Sequence, residues 1–408
     1  MTAIAKPYRL PLAILIAGAI TVLTAMGLRA SMGLYLKPMS LDLGWGRETF
    51  AFAMALQNLM WGAFQPFAAA ISEKWGTGRI VAFGGVLYAS GLYIMADVSD
   101  PLIFQLSAGL LLGMAQSGCG LAIVLGAVGR ALPAEKLSFG LGLVTACGAA
   151  GQFTVVPLGQ VFLNQYGWST SYVLLALLAL TIIGAAYFLR DGQSSAAPKL
   201  DGEQKPELGL VDMLQLASRE RSFWLLTAGF FVCGFHVAFI GVHMPAFLSD
   251  AGLPPGTGAW SLALIGVFNV LGSFSAGILG NRFPKKYLLC SLYTLRAITI
   301  TLFISFPITT ETVIAFSIAM GVLWLSTVPL TSGLVAVMFG PRYMGTLFSI
   351  VFFSHQVGSF SGVWLGGYLY DTTGSYMPVW WAGIIIGLLS ALLHLPIIER
   401  LVPQTAKA

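Results

Sequence analysis

Arg29 is a cation in the middle of an apolar run, with Leu15–Leu28 before it and Ala30–Leu36 after it and no other charged side chain in either flank. Holding a charge at bilayer depth costs about 2.5–3.5 kcal/mol on insertion scales. The folded chain must return that energy through a wet cavity or a bound anion. A guanidinium is a planar fork that matches a carboxylate, and no Asp or Glu is embedded in the interior of any comparable run. The residue therefore points to a site for a negatively charged solute. A structural arginine bonded to main-chain oxygens of a neighbouring helix is the alternative. At 100° per residue its face includes Val22, Ala25, Met32, Gly33 and Leu36, and small Ala25 and Gly33 leave room beside it.

Histidines are the second chemical signal. His236 and His243 are seven residues apart, so they share a helical face about 10.5 Å apart along the axis. His355 and Gln356 are adjacent in a later apolar run. An imidazole can donate to a carboxylate or carry a proton near neutral pH. With no embedded acid, His236 and His355 are the proton-coupling candidates. A satisfied interhelical hydrogen bond is the alternative for each, and His394 reads as structural. Gln57 and Asn58, with Gln116, Gln152 and Asn269, can line a cavity or bond helices together. Arg296 reads as a snorkelling or interhelically bonded cation. Trp324 and Phe353 can wall a pocket, although an apolar core is the commoner fate of such rings. No histidine stands four residues from another ligand and no carboxylate joins the set, so no metal is implied. Cys119, Cys147, Cys233 and Cys290 lack ligand spacing and read as packing residues. No cofactor is implied.

The elements that must position these residues follow from composition. Hydrophobic residues make up 57% of the 408, charged residues 9%, and mean hydropathy is +0.83; soluble domains carry about 25% charge. The chain reads as an all-α membrane protein, because lipid forces the backbone to bond within itself. At about 20 apolar residues per crossing, twelve transmembrane helices are predicted. They span residues 11–36, 49–72, 80–97, 101–130, 138–164, 168–190, 222–249, 258–280, 286–306, 311–339, 344–369 and 376–398. With both termini cytoplasmic, every Lys and Arg except Arg29, Lys37, Arg47 and Arg296 falls on the inner side, as the positive-inside rule requires. The net charge of +5 is thus a topology signal and does not point to nucleic acid.

Residues 191–220 interrupt the hydrophobic pattern and read as a cytoplasmic linker between six-helix bundles at 1–190 and 221–408. The two parts look like a repeat. Gly151, Gly159 and Gly167 recur 207 residues later as Gly358, Gly366 and Gly374, and the loop Glu73-Lys74-Trp75-Gly76-Thr77-Gly78-Arg79 has a basic counterpart 208 residues on, at Asn281-Arg282-Phe283-Pro284-Lys285-Lys286.

Those loops carry a resemblance. Ala69-x-x-x-Glu73-Lys74-x-Gly76 with Arg79, and Gly277-x-x-x-Asn281-Arg282 with Lys285-Lys286, resemble the loop motif of the major facilitator superfamily. Ala69 stands for its glycine, Glu73 for its aspartate, and Asn281 removes the second acid. Leu43-Gly44-Trp45-Gly46-Arg47, and Phe139-Gly140-Leu141-Gly142 with Gly148 and Gly151, resemble its bacterial monocarboxylate-transporter-like (oxalate/formate antiporter-like) branch. The resemblance implies two pseudo-symmetric six-helix bundles in a bacterial inner membrane. The first, seventh and eleventh helices would border a central cavity, so Arg29, His236, His243, His355 and Gln356 would converge there, with Gln57 and Asn58 near them. Glu73, Lys74, Gly76, Arg79, Gly277, Asn281 and Arg282 would act as gating loops. Expected partners are the lipid bilayer, a small organic anion such as a monocarboxylate, and protons in symport or a counter-anion in exchange. A monomer is expected. Animal members of the branch carry an acid–arginine pair in the eighth helix; Gly258–Gly280 here has no charge, so that mechanism does not transfer.

An enzyme would need a nucleophile, a metal or an acid–base pair, and no such spacing occurs. Within transport the competing reading is efflux of hydrophobic or cationic drugs. A cation carrier is expected to bury an acid, whereas this chain buries arginine and histidine.

Overall fold

The computed structural model describes residues 12–132, 134–189, 209–340 and 343–402. Among these the chain is helical, without strands. In order the helices are α1 (Leu12–Ser31), α2 (Leu36–Asp42), α3 (Arg47–Trp75), α4 (Thr77–Met95), α5 (Pro101–Phe104), α6 (Leu112–Cys119), α7 (Leu121–Ala131) and α8 (Ala134–Ala186). They continue as α9 (Leu210–Arg219), α10 (Arg221–Asp250), α11 (Gly256–Arg282), α12 (Lys285–Ser305), α13 (Thr310–Leu323), α14 (Thr327–Phe339), α15 (Met344–Thr373) and α16 (Met377–His394).

Nine stretches of the described residues are long and apolar enough to cross a membrane. Helices α3 and α15 are not among them, although each is long enough. Both bury polar side chains: Gln57, Asn58 and Gln65 in one, His355, Gln356 and Ser359 in the other. They also pack on each other. Trp61 meets Phe352 edge-on at 5.4 Å, Phe52 meets Phe360 at 6.0 Å, and Gly367 lies against Ala51. Their polarity belongs to a helix–helix interface that does not face lipid.

Three expected spans are interrupted, the first (11–36) by a 3-10 turn at Met32–Tyr35. The stretch 311–339 is broken at 324–326, between α13 and α14. The stretch 101–130 contains a π segment, Gln105–Leu111, and a break at Gly120. The expected linker lies outside the described residues over 190–208, but its last part forms α9, an amphipathic helix that buries Met213 and Ala217.

The glycine repeat has a physical counterpart. Gly151 of α8 lies against the Leu23 carbonyl of α1, and Gly358 of α15 lies against the Phe231 carbonyl of α10. Leu23 and Phe231 are themselves 208 residues apart. A methyl group at either glycine would overlap the facing backbone, so only glycine permits these approaches. Gly167 and Gly374, the third pair, both take positive φ, at 74° and 72°. Gly167 splits α8 into two arms, and Gly374 ends α15 in the left-handed conformation that lacks a steric penalty only without a side chain. Gly358, Gly362 and Gly366 all face α10, while Gly148 and Gly151 face α1. These small faces let the paired helices pack closely.

Candidate functional site

Arg29 does not end on main-chain oxygens. Its Nη2 donates to Asn58 Oδ1 at 2.7 Å, and its Cζ stands 5.1 Å from the centroid of the Trp61 ring. Asn58 is oriented in turn by its own helix, donating from Nδ2 to the Met54 carbonyl at 2.8 Å. Trp61 is fixed by donation from Nε1 to Gln65 Oε1 at 3.0 Å. Asn58, Trp61 and Gln65 recur at helical spacing, so one face of α3 grips one side of the guanidinium. Among the described residues no carboxylate pairs with it.

Its other side borders a narrow cavity of about 50 Å³. By the measure in which one water fills roughly 10–15 Å³, that is room for a few waters or a solute of equally few heavy atoms. The walls come from both parts of the chain: Arg29 and Met32, Gln57 and Asn58 of α3, Gln152 of α8, then Val237 and Gly241 of α10, Leu262 of α11 and Trp324. Gln57 is 3% exposed and its Nε2 has no protein partner. A buried amide donor left unmade costs about 1–3 kcal/mol, and this one belongs to a residue of the cavity wall. Gln152 is held by donation from Nε2 to the Leu262 carbonyl at 2.7 Å, which ties α8 to α11. A larger depression of about 610 Å³ beside Leu41 and Trp168 is open and holds no buried charge.

Comparison with known proteins agrees with this architecture. The model of the Major Facilitator Superfamily matches residues 17–275 and 229–408. The chain belongs to the Major Facilitator Superfamily. It is a multi-pass membrane transporter, and the superfamily accounts for a cavity walled from both parts of the sequence. Monocarboxylate transporter 13 of Rattus norvegicus is 26% identical over 317 residues, covering 76% of this chain and 71% of that one. Monocarboxylate transporter 11 of Homo sapiens is 24% identical over 370 residues, covering 86% and 75%. The uncharacterised MFS-type transporter YcxA of Bacillus subtilis is 21% identical over 389 residues, or 91% of each chain.

The histidines expected to join Arg29 are turned elsewhere in this superfamily fold. His236 bonds through Nε2 to the Gly383 carbonyl of α16 at 2.8 Å, and its Nδ1 is unpartnered. His243 bonds through Nε2 to the Val363 carbonyl at 2.8 Å and through Nδ1 to the Tyr376 hydroxyl at 3.2 Å. His355 stacks on Phe352 at 5.6 Å and stands 3.4 Å from Gln356 Oε1, and the Gln356 side chain lies against Gly62. None of the four lines the cavity with Arg29. The reason lies in the helical period of α10. Val237, Ala238, Gly241 and Val242 present a small apolar face to the cavity, which leaves His236 and His243 against α15 and α16, where the Val363 and Gly383 carbonyls accept. Of the pocket candidates, Arg29, Gln57 and Asn58 come together. Trp324 is a wall residue, whereas Phe353 is exposed at 41% and is not. Gln116 bonds Tyr88 at 2.7 Å, away from the cavity.

One end of α3 carries a cluster that the sequence presented only as topology charge. Arg47 donates to both oxygens of Asp250, at 2.6 and 3.0 Å, and to the Tyr376 hydroxyl at 2.9 Å, with its Cζ 3.6 Å from the Tyr370 centroid. Lys37 pairs with the same Asp250 at 2.8 Å. Asp371 at the end of α15 accepts from the Arg47 and Glu48 backbone amides at 3.0 and 2.8 Å, so it caps α3 from 324 residues away. Gly46 leaves room for this cap, since a methyl group there would push on the Asp371 carboxylate.

At the opposite end of α3 the expected gating loop is loose. Glu73, Lys74 and Arg79 are exposed, and among the described residues Glu73 makes no ion pair. Gly76 ends α3 with φ 91°, while Ser72 and Arg130 both bond the Thr77 hydroxyl, at 3.0 and 2.6 Å. In the second loop Gly277 borders open space, and Asn281 and Arg282 are exposed. Glu399 accepts from the Lys286 amide at the start of α12.

Proposed function

We propose that this transporter carries a small organic anion, most simply a monocarboxylate, by secondary active transport with alternating access across a bacterial inner membrane. The observation that carries the reading is Arg29: a guanidinium with one side-chain hydrogen bond, no carboxylate partner among the described residues, and a face on a small cavity that also presents an unmade amide donor from Gln57. The bound carboxylate would satisfy both groups and neutralise the site. Asn58 and Trp61 act as the holder that keeps the fork aimed. The cavity volume supports a compact acid over a bulky drug, and the monocarboxylate transporters among the relatives support the same solute class.

The architecture we propose has twelve spans: the nine apolar stretches, α3, α15, and a second crossing from the division of α8 at Gly167. They form bundles at 1–190 and 221–408 joined through 191–220, with both termini cytoplasmic. The recurrent glycine contacts support the repeat. In that orientation the Lys37, Arg47, Asp250 and Asp371 cluster lies outside and joins the bundles there, while the exposed Glu73 and Arg282 loops lie inside. This favours an outward-closed state. Proton coupling, if the transport uses it, would have to reach the cavity from His236 or His355 by rearrangement.

The deciding measurement is anion uptake into proteoliposomes. Arg29→Ala is expected to insert and fold yet lose saturable uptake, with Arg29→Lys retaining a part of it. Uptake with unaltered kinetics in the alanine variant would reject the assignment.

A further inference from the structure

Arg296 is the other arginine inside a span, and it is fully buried. Its acceptors are unusual. Nε and Nη2 donate to the Leu323 carbonyl at 3.1 and 2.6 Å, and Nη2 also donates to the Trp324 carbonyl. These are the carbonyls at the end of α13, where the backbone unwinds before α14 starts at Thr327. Carbonyls released by a break have no partner on their own helix, and lipid supplies none. The positive charge also complements the negative end of α13. From the other side, Asn269 of α11 accepts from the Leu325 amide at 3.0 Å. Three consecutive residues of a mid-span break are thus held by two side chains from two different helices. Between those two anchors lies Trp324, which is 5% exposed and walls the cavity that contains Arg29.

We propose that Arg296 is a positioning residue for the transport site: by clamping the break it fixes the Trp324 indole as a wall and so limits the chain length of the anion admitted. Without the clamp, the two carbonyls lose their partners inside an apolar span; Pro329 opposes closure of the break into regular helix, so the segment shifts to find other partners and carries Trp324 out of its place in the wall. The size limit rests on the anion reading above; the placement of Trp324 does not.

Two readouts test it on the full-length chain. In protein labelled with 5-fluorotryptophan, the Trp324 fluorine resonance is assigned by its loss in Trp324→Phe. Arg296→Gln is expected to shift that resonance while leaving the Trp61 resonance in place, with Arg296→Lys giving a smaller shift. A role in bulk stability alone would lower the melting temperature without moving the Trp324 signal. In competition assays with straight-chain monocarboxylates, Arg296→Gln is expected to improve six-carbon over two-carbon acids by about 10-fold relative to the unaltered protein. Trp324→Ala should do the same, and the double variant should gain no more than either single change. An unmoved Trp324 resonance in folded Arg296→Gln overturns the proposal, as do additive effects of the two substitutions. Where Arg296→Gln does not fold, Asn269→Ala, which removes the acceptor for the Leu325 amide and for the Ser273 hydroxyl of its own helix, carries the same expectations and the same refutation. If no carboxylate competes in the unaltered protein, the anion reading fails, and the fluorine spectrum still judges the clamp.

Discussion

Arg29 and Arg296 are each a lone cation in an apolar helix, and the structure puts them to opposite uses. Arg296 uses its donors on main-chain oxygens at a break in a neighbouring span. Arg29 is held by one side-chain amide and one aromatic ring, with its remaining donors toward a cavity. The difference lies in what the neighbouring helix offers. Next to Arg296 the backbone is unwound and supplies acceptors; next to Arg29, α3 is helical throughout and answers with the side chains of Asn58 and Trp61. Arg296 commits Nε and Nη2 to released carbonyls and does not line the cavity, although its Nη1 stays buried without a partner; Arg29 lines the cavity and so stands where a solute can reach it.

That contrast can be broken most directly at Arg29. Removing one partner of a buried charge-assisted pair costs about 2–5 kcal/mol, so Arg29→Ala should lower apparent anion affinity by roughly 30-fold to several thousand-fold at unchanged melting temperature. Equal loss of folded protein in this variant would make the two arginines alike and erase the distinction. A second, smaller effect is expected at the ionic cluster. Asp250→Asn removes the shared partner of Lys37 and Arg47 and should raise labelling of a cysteine introduced at Gly241 by a membrane-impermeant reagent added outside by about 3- to 10-fold. Labelling that stays at the parental rate would show that this end is closed by packing alone. The smallest effect sharpens the histidine result. His236 holds the Gly383 carbonyl and lies outside the cavity; His236→Ala should keep uptake within about 2-fold while destabilising the fold by about 1–3 kcal/mol, seen as a lower melting temperature. Selective loss of proton-driven uptake in a fully stable His236→Ala protein would return this residue to the transport chemistry.

Much of this was legible in the sequence for local reasons. An arginine without a nearby acid in an apolar run is visible by inspection, and so are glycines at a constant offset, which mark backbone contacts that tolerate no side chain. The fate of the histidines was not legible. His236 and His243 do share a face, but whether that face meets the cavity or α16 depends on helix rotation, which a seven-residue spacing leaves undetermined. The cluster at Asp250 and Asp371 was hidden for a different reason. Its partners lie 203 and 324 residues from Arg47, and each acid stands at a helix end where it reads as ordinary loop charge. Trp61 carries a local signal in the sequence: Asn58, Trp61 and Gln65 repeat at helical intervals beside the first polar pair of α3.

The cap that Asp371 places on α3 has a consequence of its own. The first turn of that helix owes its stability to a carboxylate on a distant segment, so its amides are shielded only while the two segments touch. Separation would fray the turn. Deuterium uptake at Arg47 and Glu48 should therefore act as a clock for separation of the two segments, the outward opening in the orientation we propose: slow in the apo protein, and faster under any ligand or substitution that lengthens the time apart.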